Sequence, residues 1–173
     1  MQASEAELGW LAGVFDCDSS LYIARLKRTS RPRPYSYRTE ITVEGIDPRK
    51  PYRCFELTGL GEVWHNKTRP VGSPANNTVK WRVRGRDAVY VAQQVAPYMV
   101  SKKEQAELII QFGEYVADHW TGMTDDLHEK QKFLYEEMPR LKNKHILGHD
   151  IWESPAGGRR MNASQLSSIK EAL

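Results

Sequence analysis

The sequence predicts an α+β fold, an αββαββα core with one four-stranded antiparallel sheet and additional helices toward the C-terminus. Three observations predict it. Apolar spacing switches from helical to alternating and back, twice, within the first hundred residues. The alternating segments come in two pairs, each joined by a turn-rich connection. Beyond residue 86 the periodicity stays helical.

Residues 5–15 read as a helix because Leu8, Leu11, Ala12 and Phe15 recur at helical spacing, and Ser4 with Glu7 forms a capping-box signature. Leu21–Lys27 and Arg38–Val43 read as strands, joined by the basic, proline-rich RTSRPRPYS. Pro48 and Pro51 open a short helix that runs to about Leu57, and Gly59–Gly61 ends it. Glu62–Lys67 and Val79–Arg84 form the second strand pair, separated by GSPANN. Asp87–Tyr98 and Lys102–Asp118 are helical, with a break at Pro97 and Ser101. Another amphipathic helix spans about Asp126 to Glu137, residues 148–162 read as loop, and a final helix lies near Ser164–Ala172. The expected division is a principal domain over residues 1–145 and a C-terminal loop with a short helix over 146–173.

At 173 residues, 40% hydrophobic and 27% charged, the chain has the composition of a globular domain. No apolar run approaches the ~20 residues of a membrane span, so no membrane partner is expected. The N-terminus lacks the basic region and apolar stretch of a secretory signal, which points to a cytoplasmic or organellar setting. Cys17 and Cys54 make no metal-binding spacing and are expected as free thiols. The five histidines show no ligand spacing and no nucleophile pairing, and no phosphate-cradling glycine loop appears, so no small-molecule or nucleotide substrate is expected.

The net charge of +3 hides a segregation along the chain. Residues 1–18 carry four acids and no base, residues 19–86 carry 15 Lys or Arg against 5 acids, and residues 87–173 carry 10 against 13. A contiguous block with ten net positive charges points to a polyanion partner. Within it, Ile41 and Val43 share one strand face while Arg38, Glu40, Thr42 and Glu44 share the other; Trp81 and Val83 alternate with Lys80, Arg82 and Arg84. One sheet face is therefore core and the other long, polar and cationic. A two-stranded ribbon fits the major groove of double-stranded DNA, where Arg and Lys reach guanine edges or phosphates. Glu40, Glu44 and Glu62 suit base readout, since a carboxylate accepts from cytosine, and Trp64 joins the same face. His65, in the basic block, is a further candidate for DNA contact.

The first helix ends in Asp16-Cys17-Asp18. A helix C-terminus carries partial negative charge, so carboxylates there cost about 0.3–1 kcal/mol each, and something positive is expected to offset them; a divalent cation is the natural candidate. Gly9 and Gly13, with Ala12 beside them, form a small-residue face on which two helix backbones can approach. If that face packs on its own copy, two Asp18 carboxylates meet near a two-fold axis.

The segment GWLAGVFDCDSSLYI resembles the motif of the LAGLIDADG homing endonucleases: an apolar Leu-Ala-Gly helix, an Asp-x-Asp end and an immediate strand. The likeness extends over roughly residues 5–118. It implies a sequence-specific double-strand DNA endonuclease that hydrolyses phosphodiesters with Mg²⁺. By position the metal-binding catalytic acid is Asp18, with Asp16 supporting the helix end. Lys102, in PYMVSKKEQAEL, matches a lysine placed near the active site in that family, although Lys103 is adjacent; the resemblance implies a catalytic Lys102 that polarises the attacking water or neutralises phosphate charge. Where the family has Gly after the catalytic acid, this chain has Ser19. One motif copy in a chain of this length implies a homodimer on a near-palindromic site. In the first strand the resemblance puts Tyr22, Ala24 and Leu26 toward DNA; Arg25 and Lys27 are DNA-binding candidates only if a bulge shifts the register. The alternative is a cleavage-deficient nucleic-acid-binding protein of the same fold, an intron RNA splicing cofactor or a DNA-binding regulator.

Overall fold

A computed structural model describes residues 3–28, 34–66, 77–118 and 124–147, with side chains to residue 142. The residue 148–162 segment and the expected helix at 164–172 lie outside the described residues. Helix α1 spans Glu5–Asp18, followed by β1 (Ser19–Lys27), β2 (Tyr35–Gly45), α2 (Arg49–Thr58), β3 (Glu62–Asn66), β4 (Thr78–Arg84), α3 (Arg86–Val95), a 3-10 turn at Ala96–Tyr98, α4 (Lys103–Asp118) and α5 (Asp125–Leu147). The chain divides into two compact units, 1–142 and 143–173; only the end of α5 is described in the second.

The four strands form one antiparallel sheet in the order β1-β2-β4-β3. Its core face buries Leu21, Ile41, Val43, Trp81 and Val83 against Leu11 and Phe15 of α1, Val91 of α3 and Ile109 of α4. Phe15 stacks on Trp81 with ring centroids 5.9 Å apart, and the Trp81 indole N–H donates to the Leu60 carbonyl at 2.9 Å. That carbonyl comes within reach because Gly59 and Gly61 both take positive φ after α2. A Cβ at Gly61 would stand 2.4 Å from the Arg82 carbonyl, so this turn admits glycine alone.

Helix α1 runs three residues beyond the expected Phe15, because the apolar pattern ends before the helix does. Its capping box forms as the sequence indicates: Glu7 N–H donates to Ser4 Oγ and Ser4 N–H to Glu7 Oε2. Ser19 follows the helix at φ −95° and ψ 161°, extended backbone that any residue adopts, and its hydroxyl donates to the Phe15 carbonyl at 2.6 Å. A glycine is not needed there. Helix α5 continues through Pro139, beyond the expected Glu137, with Leu127, Leu134 and Met138 all buried. No helix among the described residues is long and apolar enough to cross a membrane.

Candidate active site and nucleic-acid interface

Asp18 closes α1 and remains 40% exposed; its Oδ2 accepts from Lys50 Nζ at 2.5 Å. Lys50 stands in the first turn of α2, and the Asp18 hydrogen bond raises its pKa. Asp16 points elsewhere. Its two oxygens accept from the backbone N–H groups of Val100 and Lys102, each at 2.8 Å, and fix the segment that enters α4. Lys102 then sends Nζ back to α1, donating to the carbonyls of Phe15 at 3.0 Å and Ser19 at 2.8 Å. The last turn of α1 holds no basic residue of its own, so Lys102 is the cation at this helix end. Burial lowers its pKa, and nearby Asp16, Cys17 and Asp18 oppose that shift. A third lysine, Lys142 of α5, is also lowered, first by burial and then by Lys102, and its Nζ lies 5.6 Å from the Tyr22 ring.

The structure thus revises the reason for expecting a metal. Two lysines already offset the acidic helix end. Among the described residues no group of three or more His, Cys, Asp or Glu side chains gathers. Asp18 is an exposed carboxylate, paired here with the Lys50 ammonium.

Along α1, Gly9 and Gly13 lie on the exposed side, and an added Cβ would meet nothing within 4 Å at either. Trp10 beside them is 39% exposed. Ala12 does not belong to this face: it is 1% exposed and packs in the chain's own core. Its expected place at a dimer interface is corrected: although only about 60° round the helix from Gly9, it already faces inward and is covered by the chain's own core.

On the outer sheet face the strands align in rows. Ser20, Thr42, Arg82 and Glu62 form one; Tyr22, Glu40 and Arg84 another; Glu44, Lys80 and Trp64 a third. Glu62 Oε1 accepts from Arg82 at 2.9 Å and from Arg84 at 2.6 Å. The Arg82 guanidinium lies 4.4 Å from the Trp64 ring centroid. Glu44 pairs with Lys80 at 2.7 Å and accepts from Thr78 at 2.6 Å. Glu40 pairs with Arg38 and accepts from the Tyr22 hydroxyl, both at 2.7 Å. The pKa values of Glu44 and Glu62 are lowered, in each case first by the hydrogen bond from its cation. Tyr22 is pushed up to about 12, by burial first and by Glu40 next.

Three expectations for this face change. β1 and β2 pair without a bulge from Ser19↔Val43 to Lys27↔Tyr35, so strict alternation puts Arg25 and Lys27 on the face opposite Tyr22. Arg25 lies over the rings of Tyr35 and Tyr135, at 4.7 and 5.5 Å. Glu40 is 4% exposed and Thr42 is also buried, so both lie beneath longer neighbours and not at the contact surface. His65 likewise falls on the opposite side, with Nε2 3.0 Å from the Tyr52 hydroxyl. Sequence reasoning did not single out Lys50 or Lys142. Lys50 had a signal, a cation in the first turn of a helix, where the dipole disfavours it; Lys142 had none, because only tertiary packing of α5 brings it to Tyr22.

Searches against protein-family profiles and curated sequences find no match. Solved structures do match. The homing endonuclease I-CvuI, in complex with the I-CreI target, superposes with a TM-score of 0.66 at 17% identity over 97% of this chain and 94% of that one. The archaeal intron-encoded homing endonuclease I-Vdi141I, complexed with DNA, gives 0.63 at 14% identity over 97% and 96%. A double mutant of I-SmaMI gives 0.61 at 13% identity, over 80% of this chain but 46% of that one. With the helix–sheet order, the strand order and the motif-bearing helix all in place, the chain has the fold of the LAGLIDADG homing endonucleases.

Proposed function

We propose that the protein is one subunit of a homodimeric, divalent-metal-dependent endonuclease that cuts double-stranded DNA at a long, near-palindromic site. The carrying observation is Asp18, an exposed carboxylate holding a cation at the end of a helix whose outward face, at Gly9 and Gly13, is open. Two such helices packed on that face would bring two Asp18 groups together at the base of two cationic sheets. The match covers nearly all of I-CvuI and under half of I-SmaMI. I-CvuI has been solved on DNA with Mg and with Ca, ions of the class that a carboxylate pair and phosphates would bind.

Asp18 from each subunit would hold the metal, which supplies charge to activate water and to offset the phosphate. Lys50, released from Asp18 by the incoming cation, would turn its ammonium to the phosphate backbone. Lys102 holds the carbonyls at the end of α1 and so keeps Asp18 in place; Asp16 holds Lys102 through its backbone. Arg38, Lys80, Arg82 and Arg84, with Trp64, Glu44 and Glu62, would form the sequence-reading face. The test is to incubate the protein with a random pool of duplexes in Mg²⁺ or in EDTA and to sequence the cut products. One recurrent near-palindromic site cut only with Mg²⁺ supports the reading; binding without cutting moves the protein to the splicing-cofactor or regulator class.

A further inference from the structure

The acids on the sheet face each hold cations. Glu62 uses one oxygen for both Arg82 and Arg84. Arg82 is held in a second direction by the Trp64 ring. Glu44 fixes Lys80 in the neighbouring row, and Glu40 fixes Arg38 from a buried position. Four cations thus face three carboxylates, each cation with an acidic partner within 3 Å. These four cations and three carboxylates together leave one net positive charge, within a block of sequence that carries ten.

We propose that Glu62, with Glu44 and Glu40, is a positioning residue for sequence selectivity: the three carboxylates hold the face's cations in fixed directions and remove its surplus charge. A free Arg or Lys swings to the nearest phosphate of any duplex, which raises affinity without discrimination. A guanidinium pinned by an ion pair and an indole finds its acceptor at one place only. This rests on the DNA-binding reading above.

The experiment measures Kd by salt titration for wild type, Glu62→Gln and Glu44→Gln on two probes. One is a duplex that the wild type selects by binding from a random pool; the other is a scrambled duplex of the same composition. Glutamine keeps the shape and removes the charge. Each variant should bind the scrambled duplex tighter, on the order of threefold to tenfold at low salt, with a salt slope steeper by about one. The selected duplex should gain less, so the affinity ratio falls. A ratio and slope unchanged in both variants would overturn the proposal, as would loss of preference at a single C·G pair, which would make Glu62 a direct reader. If the wild type binds neither probe at low salt, the DNA-binding reading itself fails, and the proposal with it.

Discussion

At the scale of single residues, misplaced charges report the site. Acids at the end of α1 and cations at the start of α2 are each unfavourable to their own helix, and they meet as the Asp18–Lys50 pair. An exposed pair of this kind is worth little in stability. Replacement of Lys50 by Met should therefore leave the melting temperature nearly unchanged while weakening DNA binding and its salt dependence; an altered melt with unaltered binding would make Lys50 structural. Tyr22 and Glu40 differ, because Glu40 is buried and Tyr22 half-buried. Tyr22→Phe leaves the Glu40 carboxylate with one partner fewer and should cost about 1–3 kcal/mol, read by urea unfolding. The native Tyr22 hydroxyl stays protonated to about pH 12, whereas the unfolded one ionises near 10. Its contribution is present below pH 10 and is lost as pH rises from there toward 12. The Phe variant should lack that alkaline loss; if its stability falls with pH just as the wild type's does, the titrating group is another one.

At the scale of elements, sequence and structure agree where apolar period decides, and part where distant partners decide. β2 and β4 show alternation because Ile41, Val43, Trp81 and Val83 all enter one core, so their outer faces were readable residue by residue. β1 was ambiguous: Arg25 and Lys27 extend its core-side row past the core, where Tyr35 and Tyr135 receive Arg25, and no local pattern announces that. The length of α1 was hidden for the same reason. Its last turn depends on Lys102, 84 positions after Asp18 in the numbering, whose Nζ satisfies the Phe15 and Ser19 carbonyls. Ala12 and Gly13 are neighbours in sequence, yet one is core and the other open. This gives Gly13→Leu a clean outcome. Inside one chain the added side chain starts in free space, and Leu is a better helix former than Gly by roughly 0.5–1 kcal/mol. The monomer should fold and melt no lower, while sedimentation should show the dimer lost. A dimer of unchanged affinity would place the interface elsewhere.

At the scale of the whole molecule, the proposed assembly joins two copies of one polarised chain. Asp18 lies at one end of β1, and the outer face of the same sheet carries the cations away from it, so the proposed cleavage centre and the proposed reading surface belong to one helix–sheet frame. Symmetry then sets what one damaged subunit does. In the proposed dimer, helices packed at Gly9 and Gly13 would bring their terminal carboxylates together into one shared centre. The direct test is the mixed dimer of wild type and Asp18→Asn, isolated through two affinity tags and incubated in Mg²⁺ with supercoiled plasmid carrying one selected site. The account predicts that the Asp18→Asn homodimer binds without cutting, and that the mixed dimer leaves the plasmid supercoiled or nicks it only slowly. Nicked circles forming at the wild-type rate would contradict the shared centre, and linear product at that rate would remove Asp18 from the reaction.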